Sequence, residues 1–325
     1  MKKNTLLCGL ALALYLFSYH LAFAQTDQYP NRQIKIVSPF ATGGIADGFS
    51  RIIAQGLSEA FGQPVIVENK TGGGGNIGAD FVAKSPADGY TLIMGSIGTH
   101  AVNPYLVKNM PYNPLKDFVP VAFVLDAEGL LAVNPSLPVK SVGELIAYLK
   151  ANPGKVSYGS GGIGTASNLA GEVFKLAAKV DMTHIPYKGN ALAITDLIGG
   201  QTQLMFATMP TILPYVKSDK LRGLAVTGAS RDASMPDLPT ISETLPGFDV
   251  KNWIGLFAPA GTPPSIVRKL HAEVGKIMQQ PAVQKKLESE GAKYYAMTPE
   301  AFGVFQNKES VRWGKIIKSA GIQPE

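Results

Sequence analysis

Two glycine-rich turns, each between a predicted strand and a predicted helix, are the segments of this chain best suited to bind a ligand. The first turn covers residues 39–44 after the apolar run 34–37, and the second covers residues 159–165 after residues 155–158. A strand that leads into a helix through glycines exposes backbone N–H groups and the positive end of the helix dipole. Two such turns could bind one anion from opposite sides, so the sequence predicts a site for a small acid.

Polar side chains follow both turns. Asp47 falls in the first turn of the helix after Gly43 and Gly44. There it either stabilises the helix dipole or caps the helix, or else it orients the turn or meets a donor on the ligand. Thr165 caps the second helix or faces the ligand. The hydroxyl of Ser160 and the amide of Asn168 would face the same space.

Two further turns follow strand candidates. Residues 95–100 contain Ser96 and Thr99, and residues 187–189 contain Lys188, which either pairs with a carboxylate or is solvated. In open α/β sheets ligands bind beyond the carboxyl ends of the strands. All four turns lie at such ends, so we expect them to surround one site.

The sequence lacks the motifs typical of hydrolases, metal sites and nucleotide-binding sites. The sequence has no nucleophile elbow, no metalloprotease or Cys/His metal spacing and no Walker sequence. Two glycine patterns, in residues 73–78 and 159–164, match a dinucleotide fingerprint by spacing, but neither is followed by an acid at the end of the next strand. We therefore expect no catalytic residue, no metal and no cofactor.

The N-terminus has the pattern of an export signal. Lys2 and Lys3 precede an apolar stretch from Leu6 to Phe23, and Ala24 completes a small-x-small cleavage pattern. We predict a signal peptide over residues 1–24, cleavage after Ala24 and a periplasmic protein, in preference to a membrane anchor or a lipoprotein attached through Cys8.

The charge and the cysteine content of the chain argue against nucleic-acid binding and against disulfides. The chain has a formal net charge of +6, two charges of which lie in the leader, and no run of five basic residues occurs. Nucleic-acid binding is therefore not expected. Cys8 is the only cysteine, so the mature chain has no disulfide and must be held together by its core.

Strand-like and helix-like segments alternate along the chain, which predicts an α/β fold with parallel strands. The C-terminal part is mostly helical, and its stripe of Phe302, Phe305 and Trp313 is interpreted as core. No low-complexity linker occurs. If there are two domains, the chain passes between them through short segments near residues 124–128 and 227–230, which makes the first domain discontinuous.

The chain resembles the Bug family of periplasmic solute receptors, the receptors of tripartite tricarboxylate transporters. The motifs that carry the resemblance are residues 36–47 (IVSPFATGGIAD), 67–78 (VENKTGGGGNIG), 88–92 (DGYTL), 111–114 (PYNP), 186–189 (PYKG) and 256–263 (LFAPAGTP).

The resemblance implies a two-lobed periplasmic binding protein fold, similar to type II, that closes on its ligand. Residues 25–126 and 228–325 would form lobe 1, and residues 127–227 would form lobe 2. The ligand would be a small carboxylate, a di- or tricarboxylate or an aromatic acid, held by backbone N–H groups. The partners would be two integral-membrane transporter subunits, or alternatively a sensor kinase, and the receptor itself would be a monomer.

The residue types and the resemblance together give one set of candidate ligand-binding residues. They are Phe40, Ala41, Thr42, Gly43, Gly44, Asp47, Ser96, Thr99, Ser160, Gly161, Gly164, Thr165, Asn168, Tyr187, Phe206 and Ala207.

Two of these positions depart from the common family pattern. Many relatives have Asp where this chain has Ala207, and many have His where it has Asn168. The absence of a carboxylate at position 207 favours a ligand without an ammonium group. The alternative function is an exported α/β enzyme that acts on a carboxylated substrate.

Overall fold

The computed structural model describes residues 29–232, 235–319 and 324. The predicted signal peptide lies outside the described residues. Eleven strands are described: β1 (Ile34–Ser38), β2 (Val65–Asn69), β3 (Thr91–Ser96), β4 (Phe118–Ala127), β5 (Gly129–Val133), β6 (Ser157–Ser160), β7 (Thr183–Pro186), β8 (Leu204–Thr208), β9 (Arg222–Val226), β10 (Asn252–Pro259) and β11 (Ala292–Lys293).

Nine α-helices accompany these strands in the described part of the chain: α1 (Ile45–Phe61), α2 (Asn76–Ala83), α3 (Val142–Ala151), α4 (Ala166–Ala178), α5 (Asn190–Ile198), α6 (Met209–Lys217), α7 (Pro264–Met278), α8 (Pro281–Ser289) and α9 (Pro299–Ser319). Across the described ranges, no helix is long and apolar enough to cross a membrane.

The strands form two separate sheets. A six-stranded sheet has the order β11-β4-β10-β3-β1-β2, and a five-stranded sheet has the order β7-β6-β8-β5-β9. The six-stranded sheet therefore combines strands from both ends of the chain, and the five-stranded sheet takes only strands from its middle. The α/β fold is confirmed.

The predicted parallel strands are present in both sheets, but both sheets also contain antiparallel strands. β1 pairs in parallel with β2 and β3, but β10 runs antiparallel to β3 and β4. In the other sheet β6 is parallel to β7 and β8, whereas β5 is antiparallel to β8 and β9. Parallel neighbours need a crossover helix. β4 leads directly into β5, and no α-helix lies between β9 and β10 in the described chain, so at both places the chain passes from one sheet to the other without a crossover helix. β10 and β5 then pair antiparallel with their neighbours within their own sheets.

Glycine and proline mark the helix ends. α1 ends at Gly62, whose φ of 64° is left-handed and whose N–H bonds to the Ser58 carbonyl. Proline occupies the first residue of α7, α8 and α9, where its missing N–H has no helical partner to lose.

The aromatic stripe on α9 is core, as predicted. Phe302 and Trp313 are fully buried. The Phe302 ring makes edge contacts with Trp253 of β10 at 5.9 Å and with Phe123 of β4 at 5.6 Å. The C-terminal helix is therefore packed on the two long antiparallel strands of the six-stranded sheet, which it stabilises through aromatic contacts.

An ionic cluster lies where the chain passes between the sheets. Glu128 is the single residue between β4 and β5, and Lys251 immediately precedes β10. The Lys251 Nζ lies 3.2 Å from Glu128 Oε1 and 3.6 Å from Asp126 Oδ2. This cluster ties the two connections together at the base of the molecule.

Asp126 provides a pH-dependent test of this cluster. Burial raises the pKa of its carboxyl to about 6, against the opposing charge of Lys251. A raised pKa means that the folded protein binds the proton more tightly than the unfolded chain, so the stabilisation is complete below the ordinary value of 3.8 and is lost as the pH rises through about 6.

We therefore expect an Asp126→Asn variant, which cannot titrate at this position, to gain free energy of unfolding relative to the wild type as the pH rises through about 6. Urea unfolding of both proteins over a pH series measures the difference. A difference that stays constant with pH would contradict the raised pKa.

Candidate functional site

The turns at the carboxyl ends of the parallel strands meet between the two sheets. A Cβ built on Gly189, which precedes α5, would lie 3.9 Å from the Ala41 Cβ in the first turn. A Cβ built on Gly98, after β3, would lie 2.5 Å from the Gly164 carbonyl oxygen in the second turn. The structure thus brings the predicted turns of the two sheets into direct contact.

The first turn is held by the Asp47 carboxylate. Asp47 is the third residue of α1, and its Oδ2 accepts the N–H of Gly43, four residues back, at 3.1 Å. Arg51 donates to both carboxylate oxygens, and Asn69 Nδ2 donates to Asp47 Oδ1 at 2.8 Å and to the Phe40 carbonyl at 3.0 Å. Of the two roles predicted for Asp47, the geometry shows that it orients the turn.

Asp47 remains ionised in this environment. Burial opposes its charge, but hydrogen bonds from Arg51, Asn69 and Gly43 outweigh burial and hold the pKa of Asp47 below its ordinary value. The carboxylate is almost fully buried, whereas its partner Arg51 is half exposed. The first turn therefore contains a buried negative charge that is neutralised within the lobe.

The second turn repeats this construction with a neutral group. Asn168 is the third residue of α4, and its Oδ1 accepts the N–H of Gly164, again four residues back, at 3.0 Å. Gly43 and Gly164 have φ values of 87° and 75°, so each turn places a glycine in the left-handed region at the same position. The two turns are matched in geometry and differ in charge.

Hydroxyl groups complete the second turn. The Thr165 side chain caps α4 by accepting the Asn168 N–H, and its hydroxyl donates to the Gly162 carbonyl at 2.6 Å. The Ser167 hydroxyl accepts the Gly161 N–H at 3.0 Å and donates to Asn190 Oδ1 at 3.1 Å. The first turns of α4 and α5 are thus tied together beside the site.

The third turn is closed on itself. The Thr99 hydroxyl accepts the Ser96 N–H at 3.0 Å and lies 2.8 Å from His100 Nδ1. All three residues are buried, and the His100 ring is stacked on Phe257 at 3.9 Å. Burial lowers the pKa of His100 to about 3, so the imidazole is neutral. Ser96 and Thr99 thus lie beside the site, but their side chains bond within the turn.

A small pocket with about 10 Å³ of free space lies next to the second turn, at the passage between the sheets. Ala207 of β8 and Ser167 of α4 line it, and every other lining side chain is also uncharged: Gly129, Ala166, Ala170, Phe206, Thr208, Thr227, Val250 and Asn252. Phe206 also packs against Phe174 in the core. The predicted residues Phe206 and Ala207 therefore border a neutral space.

The other predicted residues lie around the same turns. The Phe40 ring and the Thr99 methyl group both pack against Gly75. Ala41, Thr42 and Gly43 are exposed, and Gly44 caps α1 through its backbone without a side-chain bond. Tyr187 donates its N–H to the Ser160 carbonyl, but its hydroxyl turns away to Asp196, which raises the pKa of the phenol, together with its burial, to about 12.

Four residues that support the turns were not predicted from the sequence: Arg51, Asn69, Ser167 and Asn190. Asn69 ends β2, and Ser167 and Asn190 lie in the first turns of helices. Polar residues at the ends of parallel strands and at helix starts were a usable signal.

One pair resembles part of a catalytic triad. Ser160 Oγ lies 2.6 Å from His184 Nε2, within the range of a nucleophile and its base. Ser160 is fully buried, however, and its hydroxyl also accepts the Gly162 N–H at 3.1 Å. The pair stabilises the turn. Within the described residues, no group of three His, Cys, Asp or Glu side chains could hold a metal ion.

Comparison with known proteins identifies the family. The model of the tripartite tricarboxylate transporter family receptor matches residues 49–322. The chain belongs to this family. Protein BugT of Bordetella pertussis is 37% identical over 299 residues, which cover 91% of this chain and 92% of BugT. The resemblance inferred from the motifs is therefore confirmed.

Solved structures show the same two-lobed fold. Rpa4515 of R. palustris with adipate is 39% identical, with a TM-score of 0.88 over 92% of this receptor and 100% of that chain. MatC of Rhodopseudomonas palustris with bound malate is 33% identical, with a TM-score of 0.85 over 89% of this receptor and 100% of that chain. The two mixed sheets of this receptor are its two lobes.

We predict that Asp47→Ala lowers the free energy of unfolding of the receptor by about 1–3 kcal/mol, because it removes the acceptor of the Gly43 N–H and leaves Arg51 and Asn69 without their partner. Urea unfolding measures the loss. Asp47→Asn, which retains one acceptor oxygen, is the matched control and should lose less.

The lowered pKa of Asp47 adds a pH dependence to this loss. The stabilisation is present above the ordinary value of 3.8 and disappears as the pH falls through the lowered value, so the difference between wild type and Asp47→Ala should shrink in acid. Equal stability of the two proteins at neutral pH would show that the carboxylate does not hold the turn.

Proposed function

We propose that this receptor binds a small organic acid through its carboxylate, between the first turn (residues 40–44) and the second turn (residues 160–165). The observation that carries the proposal is the matched pair of glycine turns, each at a helix N-terminus, on opposite lobes that approach each other at Ala41 and Gly189 and at Gly98 and Gly164. Backbone N–H groups at helix starts favour anions, and hydrogen bonds to a charged acceptor are stronger than neutral ones. Relatives with bound adipate and malate support this ligand class.

The charges around the site favour an acid without an ammonium group. Asp47 is already neutralised by Arg51. The second turn contains the neutral amide of Asn168, and the pocket beside it is lined only by uncharged side chains, Ala207 among them. A cationic group would find no carboxylate there, since an unpaired charge is costly to bury. A dicarboxylate, a tricarboxylate or an aromatic acid fits this environment better than an amino acid.

Closure of the lobes would trap the ligand. In this proposal residues 25–126 and 228–325 form lobe 1, residues 127–227 form lobe 2, and the lobes rotate about the two connections, a hinge-type motion. The passage from β4 to β5 through Glu128 is short enough to act as such a hinge.

The proposed partners are the two integral-membrane subunits of the transporter, which the family implies, and the receptor itself is proposed to be a monomer. A sensor kinase is the alternative partner. An exported enzyme acting on a carboxylate remains the alternative function. An enzyme would convert the bound carboxylate, whereas a receptor would release it unchanged.

We predict that dicarboxylates such as adipate and malate raise the unfolding temperature of the receptor, that their diamides do not, and that glutamate and aspartate have little effect. A ligand at 100 times its dissociation constant should add about 2.7 kcal/mol of stability. Thermal unfolding against this panel, followed by mass spectrometry of the recovered ligand, is the measurement. A receptor returns the ligand unchanged, whereas conversion would establish the enzyme.

Ala207→Asp is the matched variant for this panel. It places a carboxylate beside the neutral pocket and should weaken dicarboxylate binding by repulsion while improving the binding of amino acids. Selective binding of glutamate by the wild-type receptor would contradict the proposed ligand class.

We also propose that the chain is exported to the periplasm and cleaved after Ala24. N-terminal sequencing of the protein from a periplasmic extract should begin at Gln25. A mature protein that retains its first residues and sediments with membranes would instead support an anchor.

A further inference from the structure

The two lobes meet at a point where neither has a side chain. Gly98 follows β3 in lobe 1, and Gly164 belongs to the second turn in lobe 2. A Cβ on Gly98 would lie 2.5 Å from the Gly164 carbonyl oxygen and 3.4 Å from the carbonyl carbon. The main chains of the two lobes are therefore in direct contact, which only glycine at position 98 permits.

Two neighbouring contacts extend this junction. A Cβ on Gly74 would lie 2.5 Å from the Ile163 carbonyl oxygen. The Asn103 side chain, buried in lobe 1 and donating to Asn76 Oδ1 at 2.6 Å, packs its Oδ1 against Gly164. The junction thus involves lobe 1 residues that follow β2 and β3, and a single strand-to-helix turn of lobe 2.

We propose that Gly98 is a positioning residue that permits the lobes to close fully and thereby brings the second turn onto the ligand. The inference rests on the proposed function, because the same turn and the start of α4 form one side of the proposed site. The residue acts through Gly164 and does not itself need to touch the ligand.

A side chain at position 98 would hinder closure of the lobes without disturbing the fold of lobe 1. Its φ is not in the left-handed region, so an alanine there suits the local backbone. Within lobe 1 the nearest atom to the added Cβ is Ser96 Oγ at 3.5 Å, an ordinary contact. The clash is therefore with lobe 2 alone, and its atoms are main chain, which cannot rotate away as a flexible side chain can.

A cross-link reports closure without any ligand. The Cβ positions of residues 41 and 189 lie 3.9 Å apart across the lobes, within the roughly 3.5–4.5 Å that a disulfide spans. In a chain carrying Ala41→Cys and Gly189→Cys, with Cys8 replaced by Ala, the φ of 125° at position 189 strains the cysteine equally whether residue 98 is glycine or alanine. We expect Gly98→Ala to slow disulfide formation about ten- to a hundredfold, because overpacking lowers the population of the closed form.

Gly98→Ala alone, in the otherwise wild-type receptor, should raise the dissociation constant for a dicarboxylate that binds the wild type by about ten- to a hundredfold. The unfolding temperature of the unliganded protein should stay unchanged. Isothermal titration calorimetry measures the affinity. Gly98→Val should have a larger effect. Gly143→Ala in α3, where the nearest atom to a Cβ is 4.0 Å away, is the control and should leave the dissociation constant unchanged.

The outcomes separate the two proposals. A slowed cross-link in a protein that binds no carboxylate supports the junction and removes the proposed ligand class. Equal cross-linking rates in the Gly98 and Gly98→Ala backgrounds overturn the junction, even if affinity falls. Slowed cross-linking with unchanged affinity overturns its role in binding.

Discussion

The candidate site depends on one hydrogen bond that is made twice. In each lobe a side-chain oxygen on the third residue of a helix accepts the N–H of a glycine four residues earlier, Asp47 for Gly43 and Asn168 for Gly164. This bond fixes a left-handed glycine just before the helix and so sets the direction of the N–H groups that follow. Neighbouring polar residues support the two turns. Asn69 donates to Asp47, and Asn190 accepts the hydroxyl of Ser167 beside the second turn.

The fold places the two copies of this construction on opposite lobes, and the lobes approach each other at Ala41 and Gly189 and at Gly98 and Gly164. Each lobe has parallel strands whose carboxyl ends lead into helices, and the chain passes between the lobes through short connections close to the ionic cluster of Lys251. The lobes differ in charge at their turns. The carboxylate in lobe 1 is neutralised internally by Arg51, and lobe 2 uses an amide, so neither turn presents an uncompensated negative charge to an acid.

Local features of the sequence predict much of this structure. The glycine turns, the start of α7 at Pro264 and the buried stripe on α9 follow from short-range rules, and the structure agrees with them. The supporting bonds do not follow from such rules. Asn69 reaches a turn about thirty residues away along the chain, and the pairing of β6 with β7 brings Asn190 beside Ser167 of α4. The antiparallel strands do not follow from the sequence pattern either, because the alternation of strand-like and helix-like segments does not reveal where the chain passes from one sheet to the other.

The uncharged lining of the pocket beside Ala207 has an evolutionary consequence. The proposed anchor consists of main-chain groups, which point substitutions change little, whereas the pocket consists of side chains on β8 and on the connections between the lobes. Mutations there can alter the remainder of the ligand that is accepted while the grip on its carboxylate persists. New substrate preferences can therefore arise by gene duplication and a few pocket substitutions, with little epistasis between recognition of the acid group and recognition of the rest of the molecule.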